Sequence, residues 1–309
     1  MSNEMNLLSP TRHEFQTPAG RAVYTAEHGE SAPFHSVKHC YRAGMPQLSY
    51  FGLAENWLLK ECGDRHWAML AIHSGRRVPE FIADNSNRAY AAFTAVRLYA
   101  CTFQELREND EFDIRTTLHR VGATRHVSEH QILRGDTLYG KLTMASMFVM
   151  RNEAGNNRTV TRATLASLAG EVSPAPEAAS QMFLRSKQLR SGEVPRDWLV
   201  GEQQQPPEAR AEFIPCPHND FNGAGFLYFA SFQAFIDRAE WQRHRFADPP
   251  ALSSRELFFY GNINVQDTLA VTFLHERVDG HGLTHWAEVT RGSDGQKIAD
   301  ILTKKCWRR

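Results

Sequence analysis

The sequence has no excess of charge of either sign: its 309 residues include 35 Lys and Arg and 35 Asp and Glu. A balanced chain carries no overall field that would draw it to nucleic acid or to an anionic membrane. No apolar run approaches the ~20 residues that span a bilayer. The N-terminal segment MSNEMNLLSPTRHEF also lacks a basic region followed by an apolar one. We therefore expect a cytoplasmic protein.

Cysteine frameworks and common catalytic motifs are missing as well. The five cysteines are odd in number and none has CxxC spacing, which argues against a disulfide framework or a zinc knuckle. The fourteen histidines show no HExxH pattern, and the chain has neither a GxSxG elbow nor a GxxxxGK[ST] loop. The sequence thus gives no sign of a metal site, a nucleophile elbow or a phosphate-cradling loop.

The same order of elements occurs twice along the chain. Residues 1–35 are polar and interrupted by Pro and Gly, which predicts a tail. The first repeat spans 36–168, where PQLSYFGLAENWLLKECGDRHW predicts a buried helix stopped by Gly63 and Asp64, followed by alternating runs typical of antiparallel strands. Residues 169–209, rich in Pro, Ala, Gln and Ser, predict a docked crossover linker. In the second repeat, 210–309, NGAGFLYFASFQAFIDRAEWQRHR predicts another helix before four strands.

An internal echo supports a duplication. DEFDIRTTLHRVG in the first repeat and DTLAVTFLHERVDG in the second share an Asp, apolar alternation, His, Arg, Val and Gly. The echo places His119 and His275 at equivalent positions, which favours a structural role for both. A repeat of more than about 100 residues indicates a duplicated domain rather than a solenoid. One apolar helix followed by an antiparallel meander, twice over, predicts an α+β double hotdog fold, in which each curved sheet wraps its own helix.

One segment resembles known families. HNDFNGAGFLYFASFQAFIDRAE, residues 218–240, is similar to the start of the helix in hydroxybenzoyl-CoA-type hotdog thioesterases. It resembles more closely the second hotdog of the leinamycin-type bifunctional acyltransferase/decarboxylase family, which has an Asn-Gly-x-Gly-x-Leu-Tyr-Phe-Ala-Ser run. The similarity extends to FFYGNINVQDTLAV, residues 258–271, and more loosely to GMPQLSYFGLAENWLL.

The resemblance implies an enzyme acting on acyl-CoA or acyl-carrier-protein thioesters. The implied reaction is decarboxylation, acyl transfer or both, with a short malonyl-type acyl group, in polyketide-like secondary metabolism. It implies no cofactor apart from the coenzyme A or phosphopantetheine that belongs to the substrate. An acyl carrier protein is a possible partner, and a chain that holds two hotdogs can be a monomer or a homodimer.

Four candidate site residues lie at the predicted start of the second helix. N–H groups at a buried helix N-terminus can hold the oxyanion of a reacting thioester, and Gly223 and Gly225 would let a substrate approach that backbone closely. Asn222 is placed to cap the helix or to direct its amide at the thioester. Asp220 matches the acid of hotdog thioesterases, and could instead compensate the helix dipole.

Three hydroxyl groups complete the candidate site. Tyr90, in RAYAAF, matches by position a tyrosine that the leinamycin-type enzyme uses in acyl handling, and we expect it to donate a hydrogen bond, since a free phenol has a pKa near ~10. Tyr228 and Ser231 are three residues apart and would share a helix face, where either could also be packing. We expect one active site, at the second helix, closed from the other half by Tyr90.

Two other functions remain open from the sequence alone. A hotdog thioesterase would use Asp220 as its acting carboxylate, and a non-catalytic module would hold a carrier-bound intermediate without turnover. Near the linker, Arg185, Lys187 and Arg190 could contact the phosphates of coenzyme A or form a solvated basic face.

Overall fold

The structure is a computed structural model that describes most of the chain. The described residues are 12–17, 20–25, 36–165, 168, 171–193, 198 and 210–307.

The first half of the described chain is dominated by strands and contains one long helix. Its elements are β1 (Arg12–Thr17), β2 (Gly20–Thr25), β3 (Ser36–Arg42), β4 (Leu48–Ser49), β5 (Gly52–Leu53), α1 (Glu55–His73), β6 (Phe81–Ile82), β7 (Arg88–Tyr99), β8 (Glu111–Arg120), β9 (Arg125–Arg134), β10 (Thr137–Arg151) and β11 (Val160–Arg162).

The second half follows a crossover helix and repeats the pattern with fewer strands. Its elements are α2 (Glu177–Arg190), β12 (Arg210–Phe213), α3 (Phe229–His244), β13 (Ala251–Phe259), β14 (Leu269–Asp279), β15 (Gly282–Arg291) and β16 (Lys297–Cys306).

The two halves meet edge to edge in one antiparallel sheet. Its order is β1-β2-β3-β8-β9-β10-β7 in the first half and β13-β16-β15-β14-β12 in the second, with β6 and β11 attached to β7 and β10. At the seam between β7 and β13, Val96 lies opposite Leu257 and Leu98 lies opposite Arg255. The strand order on one side of the seam mirrors the order on the other, so a pseudo-twofold axis relates the halves.

Helices α1 and α3 contact each other, and each packs against the strands of its own half. Residues of both helices belong to one buried apolar cluster with the inner faces of the strands. Both helices are buried on most sides, polar residues included, and this explains why neither shows a strong polar face in the sequence. The arrangement confirms the predicted α+β double hotdog fold. No helix of the described residues is long and apolar enough to cross a membrane.

Helix α1 continues beyond the point where we expected it to end. Gly63 and Asp64 were predicted to stop it, whereas it extends to His73. Gly63 therefore lies inside the helix. A larger residue would not fit there, because a Cβ would meet the Cζ of Phe229 at 2.9 Å. Glycine inside a helix costs about 1 kcal/mol relative to alanine, and here it allows the start of α3 to approach α1 closely.

The N-terminal 35 residues contribute more than the tail that their composition predicted. Strands β1 and β2 pair with each other, and β2 pairs with β3, so they extend the sheet at its edge. Edge pairing depends on backbone hydrogen bonds, which need no long alternating pattern in the sequence. The rest of the predicted tail lies outside the described residues.

The predicted crossover linker contains helix α2, which docks on the sheet. Ala179, Met182 and Leu189 are buried in one cluster with Phe258 and Trp286 of the second half. The predicted docking of MFLRSKQLR therefore agrees with the structure, while GEQQQPPEA lies outside the described residues.

The two segments of the internal echo form β8 and β14, which are equivalent strands of the two halves. His119 on β8 lies 3.2 Å from a carboxylate oxygen of Glu129. His275 on β14 stacks on the ring of Trp286 at 5.4 Å between centroids. Both histidines thus pack against a neighbouring strand.

Candidate active site

A cavity of about 640 Å³ lies where the start of α3 meets the middle of α1. Strand β7, the end of β10 and the segment after β13 complete its wall. A volume of this size is typical of small-molecule sites, which span roughly 300–1,000 Å³. Four of the predicted site residues line it, namely Tyr90, Asn222, Gly223 and Tyr228.

The segment before α3 is a tight loop, and this differs from the prediction that the helix starts at Asn222. Helix α3 begins at Phe229, with Tyr228 as its N-cap residue. The side-chain Oδ1 of Asn222 accepts hydrogen bonds from the N–H groups of Ala224 at 3.0 Å and Phe226 at 3.1 Å. Asn222 therefore organises the loop instead of capping the helix, because Asn side chains bond readily to the backbone two residues on.

Gly225 belongs to the same loop and does not line the cavity. Its φ of +74° lies in the left-handed region, which favours glycine. Its carbonyl accepts a hydrogen bond from Nδ2 of Asn157 at 2.7 Å. Gly223 does line the cavity, and a Cβ there would meet no atom within 4 Å. The turn therefore requires glycine at 225, whereas space alone does not require it at 223.

Asp220 and Ser231 are close to each other but lie outside the cavity lining. The carboxylate of Asp220 accepts a hydrogen bond from the N–H of Cys216 at 2.7 Å. Its carbonyl accepts from the hydroxyl of Ser231 at 3.1 Å and from the N–H of Tyr228 at 2.7 Å. Both side chains are buried, and they tie the loop to the first turn of α3.

Two asparagines that the sequence analysis missed hold the loop from the opposite side. The buried Asn157 donates from Nδ2 to the carbonyls of Gly225 and Ile263, at 2.7 and 2.8 Å. The Oδ1 of Asn262 accepts from the N–H of Leu227 at 3.1 Å. Asn262 lies in FFYGNINVQDTLAV, so the extended resemblance was the signal that could have identified it.

Several hydrogen-bond donors belong to residues that line the cavity and bond to no described protein atom. In the described part of the chain, the N–H groups of Gly223 and Phe229 donate to no protein atom, and the hydroxyls of Tyr90 and Tyr228 make no hydrogen bond. The Phe229 N–H belongs to the first turn of α3, where the helix dipole is positive. Burial, reinforced by the nearby Asp64 and Glu61 carboxylates, raises the pKa of Tyr228, so this phenol stays protonated as a donor.

Aromatic rings form the remaining wall. Phe93 and Phe229 lie 4.5 Å apart between ring centroids, and Phe232 lies 5.1 Å from Phe259. All four residues line the cavity. A charged group bound against these rings would be largely separated from water, which strengthens its interaction with the donors.

Asp64 of α1 is the one carboxylate that the described residues contribute to the lining. Its side chain is 68% exposed and lies 2.6 Å from the guanidinium of Arg65. It therefore sits at the rim, where it could act on a water molecule or simply balance a cation.

The pseudo-twofold axis relates the start of α3 to the start of α1, and the two positions are built differently. Gly63 and Asp237 are both the ninth residue of their helix, and His66 and Glu240 are both the twelfth. The partners of His66 are Ser128 on β9 and Ser146 on β10, and those of Glu240 are His285 on β15 and Lys305 on β16. A neutral network in one half thus corresponds to a charged one in the other.

Buried charges occupy the position at the start of α1. The fully buried Arg255 lies 3.3 Å from a carboxylate oxygen of Glu55 and 2.7 Å from one of Asp237. Lys305 bonds Asp237 at 3.0 Å and Glu240 at 2.6 Å. Three carboxylates therefore share two cations, in a place where the other half has a cavity.

This charge imbalance is reflected in the acidity of the carboxyl groups. Burial raises the pKa of Glu55 to about 7, and the attraction of Arg255 offsets only part of that effect. Burial also disfavours the ionised form of Asp237, but Arg255 and Lys305 outweigh it and hold the pKa of that carboxyl below its ordinary range. The network is thus stabilised by its two cations, and Arg255 is shared between two acids.

No group of three or more His, Cys, Asp or Glu side chains among the described residues is arranged to hold a metal ion. The donors around the cavity are N–H and phenol groups, which do not act as metal ligands in their protonated form.

Neither a protein-family model nor a curated protein matches the sequence. Solved structures do resemble the fold. An acyl-ACP thioesterase from Bacteroides thetaiotaomicron matches with a TM-score of 0.56 and 12% identity, over 87% of this chain and 97% of that one. The 12:0-ACP thioesterase from Umbellularia californica matches with a TM-score of 0.55 and 8% identity, over 88% of this chain and 94% of that one. At such low identity the likeness establishes the double hotdog fold.

Proposed function

We propose that this protein is an enzyme that acts on an acyl thioester of coenzyme A or of an acyl carrier protein, in the cavity at the start of α3. The observation that carries the proposal is a set of N–H and phenol donors that bond to no described residue and lie beside an aromatic wall. Two solved structures that share the fold over almost their whole length are named as acyl-ACP thioesterases, which supports a thioester substrate.

Within this class we favour decarboxylation, acyl transfer or both, with a short malonyl-type acyl group. When such a thioester loses CO₂, the electrons of the broken C–C bond pass to the α-carbon and the thioester oxygen. A proton from solvent then completes the acyl product. In this proposal the Phe229 N–H holds the enolate oxygen, and a donor of this kind is worth about 3 kcal/mol. In acyl transfer the thiol of a carrier protein attacks the carbonyl carbon, and the coenzyme A thiol leaves.

The composition of the cavity supports this choice. Decarboxylation needs a desolvated carboxylate and a stabilised enolate, but no general base. The aromatic wall would keep water away from the carboxylate, and the N–H and phenol donors would stabilise the enolate. The resemblance of residues 218–240 and 258–271 to the leinamycin-type family points in the same direction, and suggests a role in polyketide-like biosynthesis.

Hydrolysis is the second candidate, favoured by Asp64 at the rim. A thioesterase needs a carboxylate near the thioester to act as base or nucleophile. The carboxylate of Asp220, the acid expected from the sequence, accepts a backbone hydrogen bond in a turn and does not line the cavity. Asp64 is then the residue on which hydrolysis would depend.

Product analysis separates these reactions. The protein is incubated with methylmalonyl-CoA, with and without a holo acyl carrier protein, and the products are identified by mass spectrometry. We expect propionyl-CoA or propionyl carrier protein. Release of free methylmalonate would instead identify a thioesterase, and unchanged substrate together with carrier binding would show a non-catalytic module. Either of these results contradicts decarboxylation and transfer.

Asp64→Asn tests the hydrolytic alternative directly. If hydrolysis is the native reaction, this variant should release free acid at least 100-fold more slowly, since general acid–base catalysis contributes about 10²–10⁴-fold. If decarboxylation is native, we expect the rate of decarboxylation by this variant to differ less than tenfold from that of the wild type. Asp113→Asn is the matched control, because Asp113 pairs with Lys38 at 2.7 Å and does not line the cavity.

A further inference from the structure

We infer that Arg162 of β11 and Arg190 of α2 form a phosphate-binding subsite at the wall of the cavity. Its ligand would be the phosphate of a pantetheine arm, carried either by coenzyme A or by a carrier protein. This inference rests on the proposed function for the identity of the arm, and deepens it by naming the group that the protein recognises besides the acyl thioester.

The cavity wall is cationic although the chain as a whole is neutral. Five arginines line it, against the single carboxylate Asp64. Arg158 is neutralised by Asp267 and Arg291 by Asp294. The arginines that remain are Arg88, Arg162 and Arg190. This excess positive charge favours an anionic ligand.

Arg162 and Arg190 keep their hydrogen-bond donors available. Within the described residues, neither guanidinium group makes a hydrogen bond or an ion pair. Arg190 lies over the ring of Tyr260, 4.5 Å from its centroid. An aromatic ring can hold a guanidinium by its face and leave the N–H groups in its plane free for a phosphate. Arg88 adds charge nearby but lies 3.6 Å from Glu80, so it is partly compensated.

The crossover helix explains why Arg190 reaches the cavity and its neighbours do not. Helix α2 is anchored by the buried Leu189 and by an ion pair of 3.2 Å between Arg185 and Glu256. Lys187 is exposed and does not line the cavity. Of the three basic residues that the sequence suggested for phosphate contacts, Arg190 is therefore the one in position.

The test measures binding without turnover. Calorimetry at low ionic strength compares coenzyme A, 4′-phosphopantetheine and pantetheine with the wild-type protein and the double variant Arg162→Gln/Arg190→Gln. We expect the double variant to bind coenzyme A about 30-fold more weakly, since charge-assisted contacts to phosphate are the strong ones, and to bind pantetheine within twofold of wild type. Lys187→Gln on the same helix is the matched control and should bind all three as wild type does.

The three ligands also distinguish the source of the phosphate. If 4′-phosphopantetheine loses as much affinity as coenzyme A, the subsite recognises the phosphate that coenzyme A shares with a carrier protein. If coenzyme A alone is weakened, the subsite recognises the phosphates of its nucleotide, and the assignment to the pantetheine phosphate is wrong. An equal loss for pantetheine and coenzyme A, or no loss for either, would overturn the inference. A failure of the proposed reaction would leave these binding results interpretable.

Discussion

Asn222→Asp should lower kcat/KM for the acyl thioester about 100-fold while leaving the fold unchanged. An aspartate keeps the oxygen that accepts the N–H groups of Ala224 and Phe226, so the loop should form as before. Asn222 lines the cavity, and its Nδ2 makes no hydrogen bond within the described residues, so the variant replaces an available amide donor with a charged oxygen beside an anionic substrate. Loss of one donor to a developing oxyanion costs about 3 kcal/mol, which corresponds to about 100-fold in rate.

Asn219→Asp is the matched control for this variant. It introduces the same charge three residues away, at an exposed position outside the cavity lining, and should stay within twofold of wild type. Circular dichroism and the thermal midpoint verify that both variants fold. An Asn222→Asp protein with nearly wild-type kcat/KM would mean that Asn222 serves only to shape the loop.

Arg255→Met should destabilise the protein by about 3–5 kcal/mol, because removing one partner of a buried ion-pair network leaves an acid that must either stay charged without its cation or take up a proton. Arg255 is fully buried between Glu55 and Asp237. Lys305 still contacts Asp237 at 3.0 Å, so Glu55 is the acid left without a cation. Urea denaturation followed by fluorescence measures the change in the free energy of unfolding.

Two further variants locate the cause of that loss. Adding Glu55→Gln to Arg255→Met removes the acid left without a cation and should recover part of the stability. Arg42→Met breaks an exposed pair with Glu111 and should cost less than about 1 kcal/mol. A change of under 1 kcal/mol for Arg255→Met itself would show that the network contributes little to stability.

The architecture was predictable because its signals are local and repeated. Alternating runs in the segments that form β7 to β10 and β13 to β16 predicted the strands, and the echo between β8 and β14 predicted the duplication. The ends of the helices were harder to predict from the sequence. Gly63 ordinarily weakens a helix, but here the packing of Phe229 against α1 requires it, and this contact joins residues far apart in sequence.

The candidate site was predictable only where the chemistry is local. Tyr90, Asn222, Gly223 and Tyr228 line one cavity as expected from the sequence, although their roles remain predictions. Asp220 lies elsewhere because its carboxylate is used within its own turn, which composition and spacing do not reveal.

Site residues that come from distant parts of the chain were the hardest to predict from the sequence. Asn157 reaches the loop before α3 from the segment after β10, across 68 positions of sequence. Arg190 depends on where the crossover helix docks. Contacts of this kind follow from the pseudo-twofold arrangement of the sheet, which has to be known before they can be inferred.

The asymmetry between the two halves follows from the same arrangement. Helix starts related by the pseudo-twofold axis hold a cavity in one case and the buried charges of Glu55 and Arg255 in the other. The double hotdog fold provides two equivalent positions, and in this chain the buried charges fill one of them. This supports a single active site, at the start of α3.

A crystal structure with an uncleavable analogue tests the central claim most directly. In the analogue, a methylene separates the sulfur of coenzyme A from a propionyl carbonyl. We predict that the acyl group lies against the aromatic wall, that its carbonyl oxygen accepts a hydrogen bond from the Phe229 N–H, and that phosphates lie beside Arg162 and Arg190. An acyl group bound outside this cavity, for example at the start of α1, would contradict the proposal.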